Sequence, residues 1–367
     1  MDSFIKEATQ QSSAPVAPHQ IDAELENILS KQRAKIKVVG TGGAGNNTIN
    51  RIQEIGITGV DTIALNTDAQ DLLYTNANHK ILIGKEVTQG LGAGSIPQIG
   101  EESAHESEHD IKSKLQGADM VFITCGLGGG TGTGSAPVVA EQAKKVNALT
   151  VAVVTVPFEM EGQRRWENAQ YGLEKLESTV DTLIVVPNDK LLELAPDLPL
   201  HTAFTVADEI LTNAVKGIAE LVTKTGLINL DYADLKTILS RGGAAMIGLG
   251  ESKSSDKNEA RALEAVENAL TSPLLDVEIT GAPRALVNVI GGADMTLREA
   301  EMIVETVSSK IHSSAHIIWG AMIDENIPRN QIQAMVVVAG GKFPYLENPD
   351  EMIKGDGPID LGIEFTG

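Results

Sequence analysis

A glycine-rich segment at residues 126–137 constrains this chain more than any other feature. It begins with Gly126, and five more glycines stand at positions 128, 129, 130, 132 and 134. The apolar run 120–123 before it predicts a buried strand, and the stretch 138–146 after it predicts a helix. Because flexible linkers seldom join a strand to a helix, the segment is better interpreted as a structured turn.

This turn has the properties of a phosphate site. Glycines let the backbone approach a bulky partner, and free N–H groups at a helix N-terminus bind anions. No Lys or Arg lies within the segment, so backbone dipoles would hold the phosphates. Hydroxyl donors come from Thr131, Thr133 and Ser135.

Composition excludes several classes of protein. A net charge of -21 argues against general nucleic-acid binding and against electrostatic attachment to acidic lipid. The single cysteine, Cys125, excludes an intrachain disulfide and fits a reducing cytoplasm. We see no signal peptide and no apolar run of membrane-spanning length, so we expect a soluble intracellular protein without direct membrane insertion.

Two further glycine-rich turns follow predicted strands, at residues 40–47 and 90–95. Gly40, Gly42 and Gly45 alone fit a dinucleotide fingerprint, and Asp68 could serve the ribose of NAD. A Rossmann half has one phosphate turn, however, whereas this chain has three such connections before residue 140. No P-loop motif occurs. Several turns at one sheet edge could enclose a polyphosphate.

The alternation of apolar strands and helices predicts an α/β fold with a parallel sheet covered on both faces. Residues 201–222 are apolar almost all round and predict a buried central helix. We expect a nucleotide-binding domain at 35–200, the central helix at 201–223, and a smaller α/β domain with a mixed sheet at 224–342. The flanks are an N-terminal extension at 1–34, partly disordered with a short helix, and an acidic tail at 343–367.

Two sets of acids are candidate functional groups. Asp208 lies on an otherwise apolar helix, and a carboxylate there can accept from the N1–H and 2-amino groups of guanine; Phe204, one turn earlier, could stack on the base. Asp231 and Asp234, supported by Asn229, could polarise a water against a terminal phosphate. Spacing alone favours the simpler interpretation that these two acids only initiate a helix.

The segment Gly128-Gly129-Gly130-Thr131-Gly132-Thr133-Gly134 between a strand and a helix resembles the signature of the tubulin/FtsZ superfamily. The surrounding motifs, over residues 35–340, are more similar to FtsZ, the prokaryotic cell-division GTPase, than to tubulin. The resemblance implies GTP or GDP with Mg²⁺, hydrolysis, and head-to-tail homopolymers. Asn229, Asp231 and Asp234 would then reach the nucleotide pocket of the next subunit.

By resemblance, Asn47, Asn188 and Asp208 contact guanine, while Glu161 and Arg165 lie at the ribose and phosphates. The remaining nucleotide-binding residues implied are Gly43, Ala44, Gly45, Asn46, Ala93, Gly94 and Ser95, together with the glycine segment. Taken singly, Glu161 and Arg165 equally fit a solvated helical pair.

Some positions depart from the family pattern. Ala44 replaces a frequent glycine, and Ile96 stands where Asn is usual. The ending at residues 359–365 resembles an archaeal FtsZ tail, and it would either pack onto the body or dock a membrane-adaptor protein. The resemblance places the protein in a mid-cell division ring in the cytoplasm. A dinucleotide-dependent oxidoreductase and a nucleotide-binding relative without turnover are the competing hypotheses.

Overall fold

The computed structural model describes residues 34–340, except residues 58, 195–198, 225, 229, 241, 253–259, 276–278 and 325–326. The predicted N-terminal helix and acidic tail lie outside the described residues. So does Asn229. Within the described part, no helix is both long enough and apolar enough to cross a membrane.

Ten strands form one continuous sheet in the order β3-β2-β1-β4-β5-β6-β7-β10-β8-β9. The first six strands pair in parallel and are β1 Ile36–Thr41, β2 Val60–Asn66, β3 His79–Leu82, β4 Met120–Gly126, β5 Leu149–Val156 and β6 Thr182–Pro187. From β1 the chain continues to β2 on one side, whereas from β4 it continues to β5 on the other side. The strand order therefore reverses between β1 and β4. This switch point is where ligands of doubly wound sheets bind.

The helices of this half connect and cover those strands. They are α1 Gly42–Ile55, α2 Ala69–Tyr74, α3 Pro97–Glu106, α4 Glu108–Leu115, α5 Thr131–Lys145, α6 Gln163–Thr179 and α7 Asn188–Leu194, followed by the long helix α8 Leu200–Thr223. A short 3-10 turn, Glu159–Glu161, precedes α6. Helix α5 begins inside the glycine segment, seven residues before the predicted start. Thr131, Gly132, Thr133 and Gly134 form its first turn.

The second half extends the sheet through β7. Its elements are α9 Tyr232–Leu239, β7 Gly243–Glu251, α10 Ala260–Leu270, β8 Arg284–Gly291, α11 Leu297–Lys310, β9 His316–Ile323 and β10 Ile332–Ala339. β7 pairs in parallel with β6, whereas β10 is antiparallel to both β7 and β8. The predicted mixed sheet is therefore confirmed. Thr296 and Glu299 form a capping box at the start of α11.

Alternation along the strands creates a separate core on each face of the sheet. One core contains α1, α8 and α9 and reaches both halves of the sheet; Phe122, Leu211 and Met335 all belong to it. The opposite face of the first half packs against α3, α4, α5 and α6. On the opposite face of the second half, α10 and α11 form a third core. Helix α8 is thus buried against both halves, as its apolar pattern predicts.

Candidate nucleotide site at the switch point

The three glycine-rich connections meet at the carboxyl edge of the parallel strands. Gly42, the first residue of α1, has a φ of +69°, and a Cβ there would lie 2.8 Å from the Gly132 nitrogen. A Cβ on Gly130 would lie 2.7 Å from the Ile96 nitrogen. Each turn therefore packs directly on the next, which only residues without side chains permit.

Other glycines of the same turns face open space. A Cβ at Gly43, Gly94 or Gly129 would meet no heavy atom within 4 Å. Neither N-cap residue of the adjoining helices, Thr41 or Gly130, makes a side-chain cap hydrogen bond. The first N–H groups of both helices are consequently available to an anion. The opening between the turns therefore has the surface and the polarity that a polyphosphate requires.

The hydroxyl groups of the glycine segment bond mostly within the protein. Thr131 and Thr67 share a hydrogen bond of 2.6 Å between their hydroxyls, and Thr133 accepts from the Gly128 nitrogen at 2.9 Å. Ser135 is fully buried, donates to the Thr131 carbonyl and contacts the Thr41 hydroxyl. The expectation that Ser135 offers a donor to phosphate is therefore wrong, because its hydroxyl holds α5 against β1.

Ala44, Gly45 and Asn46 pack α1 onto its surroundings. A Cβ on Gly45 would approach the Thr124 carbonyl of β4 to 2.5 Å, and a Cβ on Gly126 would lie 2.9 Å from the Cβ of Ala44. The Asn46 side chain is fully buried and donates to a carboxylate of α2 at 3.0 Å. These contacts shape the turn, and the Asn46 Oδ1 is a buried acceptor without a hydrogen-bond partner among the described residues.

Asp208 and Asn47 come together across α8 and α1. The Asn47 side chain hydrogen bonds to the Asp208 carboxyl, and Arg51 adds a favourable charge. Burial outweighs both effects and raises the pKa of Asp208 to about 6. A half-buried carboxylate that lacks full compensation is suited to accept hydrogen bonds from a ligand. Asn47 and Asp208, which the resemblance assigns to one ligand, are therefore in direct contact.

Phe204 and Asn188 lie at the same edge. The Phe204 ring is 39% exposed and meets Phe158 edge to face, with centroids 5.2 Å apart. Asn188 directly follows β6 and is buried, yet its Oδ1 has no hydrogen-bond partner among the described residues. An orphaned buried acceptor is unfavourable unless a ligand or water pairs with it. Phe158 was not predicted as a site residue. Its position just after the end of β5, at the carboxyl edge of the sheet, could have indicated it.

Glu161 and Arg165 form an ion pair where α6 begins. Glu161 belongs to the 3-10 turn, and α6 itself starts at residue 163. The Arg165 backbone carbonyl would lie 2.9 Å from a Cβ on Gly128. The pair therefore stands beside the glycine segment, while half of the Arg165 side chain remains exposed.

Two acids lie on or beside α2, and one of them supports the first glycine turn. Asp71 was not predicted; it accepts hydrogen bonds from Asn46 and from Asn66, which ends β2. Asp68, considered for a ribose contact, instead caps α2 by accepting from the Gln70 and Asp71 nitrogens at 2.8 and 3.1 Å. Its carboxylate is therefore engaged in starting a helix, which removes the support that it gave to a dinucleotide site.

Asn168 on α6 is a third residue that the sequence did not predict. Its side chain donates to the carbonyls of Ser95 and Gly128, each at 3.1 Å. It therefore connects the turn at residues 90–95 to the glycine segment. No local pattern marks such a residue, because its two acceptors lie far away in the chain.

Asp231 and Asp234 lie at the opposite edge of the sheet. Both are exposed at the start of α9, and between them the Tyr232 hydroxyl donates to the carbonyl of Asp119, the residue before β4, at 2.6 Å. The glycine segment follows the other end of β4. Seven residues of strand separate the two ends by roughly 20 Å. One molecule therefore does not bring these acids to its own glycine turns.

The described residues contain no cluster of three or more His, Cys, Asp or Glu side chains suited to a metal ion. A protein cage for a cation is therefore not present in this part of the chain.

Two family models match the chain. Residues 35–196 match the GTPase domain of the Tubulin/FtsZ family, and residues 243–342 match the C-terminal domain of the FtsZ family. The Cell division protein FtsZ of Methanothermobacter thermautotrophicus is 58% identical over 94% of this chain and 90% of its own length. FtsZ 1 of Thermococcus kodakarensis is 57% identical, over 97% of this chain and 96% of its own.

Solved structures agree with these matches. An empty FtsZ dimer from M. jannaschii superposes with a TM-score of 0.83 at 58% identity, covering 88% of this chain and 93% of that one. CetZ2 from Haloferax volcanii, at 22% identity and a TM-score of 0.75, covers 87% of this chain and 98% of its own and shares the fold. The chain therefore belongs to the FtsZ family of tubulin-like cell-division GTPases.

Proposed function

We propose that GTP binds at the switch point with guanine at Asp208 and its phosphates over the three glycine turns. Asn47, Asn188 and Phe204 would complete the base site. The support is the orphaned Asn188 oxygen, the raised pKa of Asp208 and the uncapped helix N-termini. Glu161 and Arg165 would lie along the ribose and phosphates.

Hydrolysis in this proposal requires a second copy of the chain. The observation that carries it is the position of Asp231 and Asp234 at the sheet edge opposite the glycine turns. Head-to-tail stacking would place these acids, with Asn229, over the terminal phosphate of the next molecule, where they would orient the attacking water. Such a heterologous contact does not close, so it generates a filament.

Exposed apolar side chains close to both sets of residues support this stacking. Leu91, within the turn at residues 90–95, is 84% exposed, and Leu227, in the loop before α9, is 53% exposed. Burying such side chains against a second copy is favourable. The solved relative from M. jannaschii is itself described as a dimer.

Mg²⁺ would enter with the nucleotide, neutralising charge on the phosphate oxygens when bound. In the cell, the filament would form the division ring at mid-cell in the cytoplasm. The tail at residues 343–367 would connect it to a membrane-adaptor protein. No contact with nucleic acid is part of this function.

The decisive experiment compares Asp234→Ala with wild type and with Asp110→Ala, which removes the same charge from an exposed position on α4. Wild type and the control should release phosphate at a specific rate that rises with protein concentration. Asp234→Ala should bind GTP normally and show almost no turnover. Loss of binding together with turnover, or a specific rate independent of concentration, contradicts an active site shared between copies.

A further inference from the structure

Asn168 links two of the three glycine turns from outside. Its Nδ2 lies 3.1 Å from the Ser95 carbonyl and 3.1 Å from the Gly128 carbonyl. A side-chain amide carries two hydrogens, so it can donate one to each turn. The acceptors are 73 and 40 residues away in the chain, and the link therefore exists only in the folded protein.

The turn that Asn168 holds has an unusual backbone. Ser95 has a φ of 60° and follows Gly94 with a φ of 58°. The left-handed region is unfavourable for a residue with a side chain, and it persists where surrounding contacts impose it. The Gly92 nitrogen donates to the Thr67 carbonyl on one side, and α3 begins on the other. Asn168 holds the exposed segment between them.

The position of this turn indicates which part of a nucleotide it would meet. Asp208 and Asn47 belong to helices of one face of the sheet, whereas Asn168 belongs to a helix of the other. A nucleotide with its base at Asp208 would extend its phosphates toward the second face. Residues 93–95 would then lie at the end of the phosphate chain.

We propose that Asn168 is a positioning residue that holds residues 93–95 ready for the terminal phosphate and so favours GTP over GDP. The inference rests on the proposed nucleotide site. Without Asn168, Ser95 is free to leave its left-handed conformation, and binding must restore it. This loss affects the triphosphate selectively because the diphosphate does not reach the turn.

The test measures the affinities of dilute full-length protein for GDP and for a non-hydrolysable GTP analogue by calorimetry. Asn168→Ala should weaken analogue binding about tenfold, the equivalent of one good hydrogen bond, and GDP binding by less than about twofold. Asn168→Asp keeps the side-chain volume but removes both donors, so it should weaken analogue binding at least as much. Glu174→Gln, at an exposed position of the same helix, should change neither affinity.

An unchanged ratio of the two affinities in both variants overturns the proposal. So does a lower melting temperature of the nucleotide-free variants with the ratio preserved, because that result assigns Asn168 to the stability of the fold. Failure of wild type to bind any guanine nucleotide would instead refute the proposed function, so the two failures are distinguishable.

Discussion

Replacing Asp208 by Asn should stabilise the nucleotide-free protein while destroying its preference for guanine. Burial raises the pKa of Asp208 from 3.8 to about 6. Because each pKa unit is worth ~1.4 kcal/mol, the folded state loses about 3 kcal/mol at neutral pH by holding this carboxylate ionised. An amide of the same shape removes that penalty.

The sign of the pH dependence follows from the two pKa values. The folded state binds the Asp208 proton more tightly than the unfolded state, so wild-type stability falls as pH rises from about 4 to about 6. The stabilisation by Asp208→Asn should therefore be absent near the lower of these pH values and complete above the higher. For a chain of this size it corresponds to a melting temperature roughly 4 °C higher.

Nucleotide binding should change in the opposite direction. A carboxylate accepts from both N–H donors of guanine, whereas an amide presents one acceptor and one donor. Two charge-assisted hydrogen bonds are lost, so GTP affinity should fall on the order of a thousandfold. Xanthine offers an N–H donor beside a carbonyl acceptor, which the amide complements. Xanthosine triphosphate should therefore bind the variant better than GTP does.

The assay combines melting of nucleotide-free protein from about pH 4.5 to about pH 8, which spans the titration of Asp208, with calorimetric titration of both nucleotides. Glu267→Gln is the matched control, because it removes one acidic charge from an exposed position on α10, away from Asp208 and Arg51. Destabilisation of Asp208→Asn at neutral pH, or unchanged GTP affinity, would refute the assignment of Asp208 to the base site.

Three other substitutions and one chemical treatment test the packing and the glycine segment. Arg261→Ala should lower the free energy of unfolding by about 3–5 kcal/mol in a denaturant titration, because it leaves buried Glu299 without its cation. Gly134→Ala should destabilise by about 1–3 kcal/mol, since its Cβ would meet backbone at 2.0 Å, whereas Gly129→Ala should melt like wild type and bind nucleotide less well. Burial raises the pKa of Cys125 to about 12, so iodoacetamide at mildly alkaline pH should label it only after unfolding.

Local pattern was sufficient for much of the fold. Apolar runs at residues 36–39, 120–123, 151–156 and 183–186 predicted β1, β4, β5 and β6. The nearly continuous apolar character of α8 predicted its burial. Shorter or polar helices, such as α2 and α4, were not predicted, because few of their side chains enter the core. The start of α5 was also misplaced, since glycine is a poor helix former and the tertiary contacts of this segment outweigh that preference.

The amino-acid sequence by itself determined the chemistry of this protein: glycine-rich turns after apolar strands, an acid on a buried helix, and two acids spaced for one helix face. Those features depend on residue type and short-range spacing. Only the tertiary structure decided that the turns touch each other, that Asn168 joins two of them, and that Asp231 and Asp234 lie about a strand's length away. Such relations depend on contacts between residues far apart in the chain, which local periodicity does not encode.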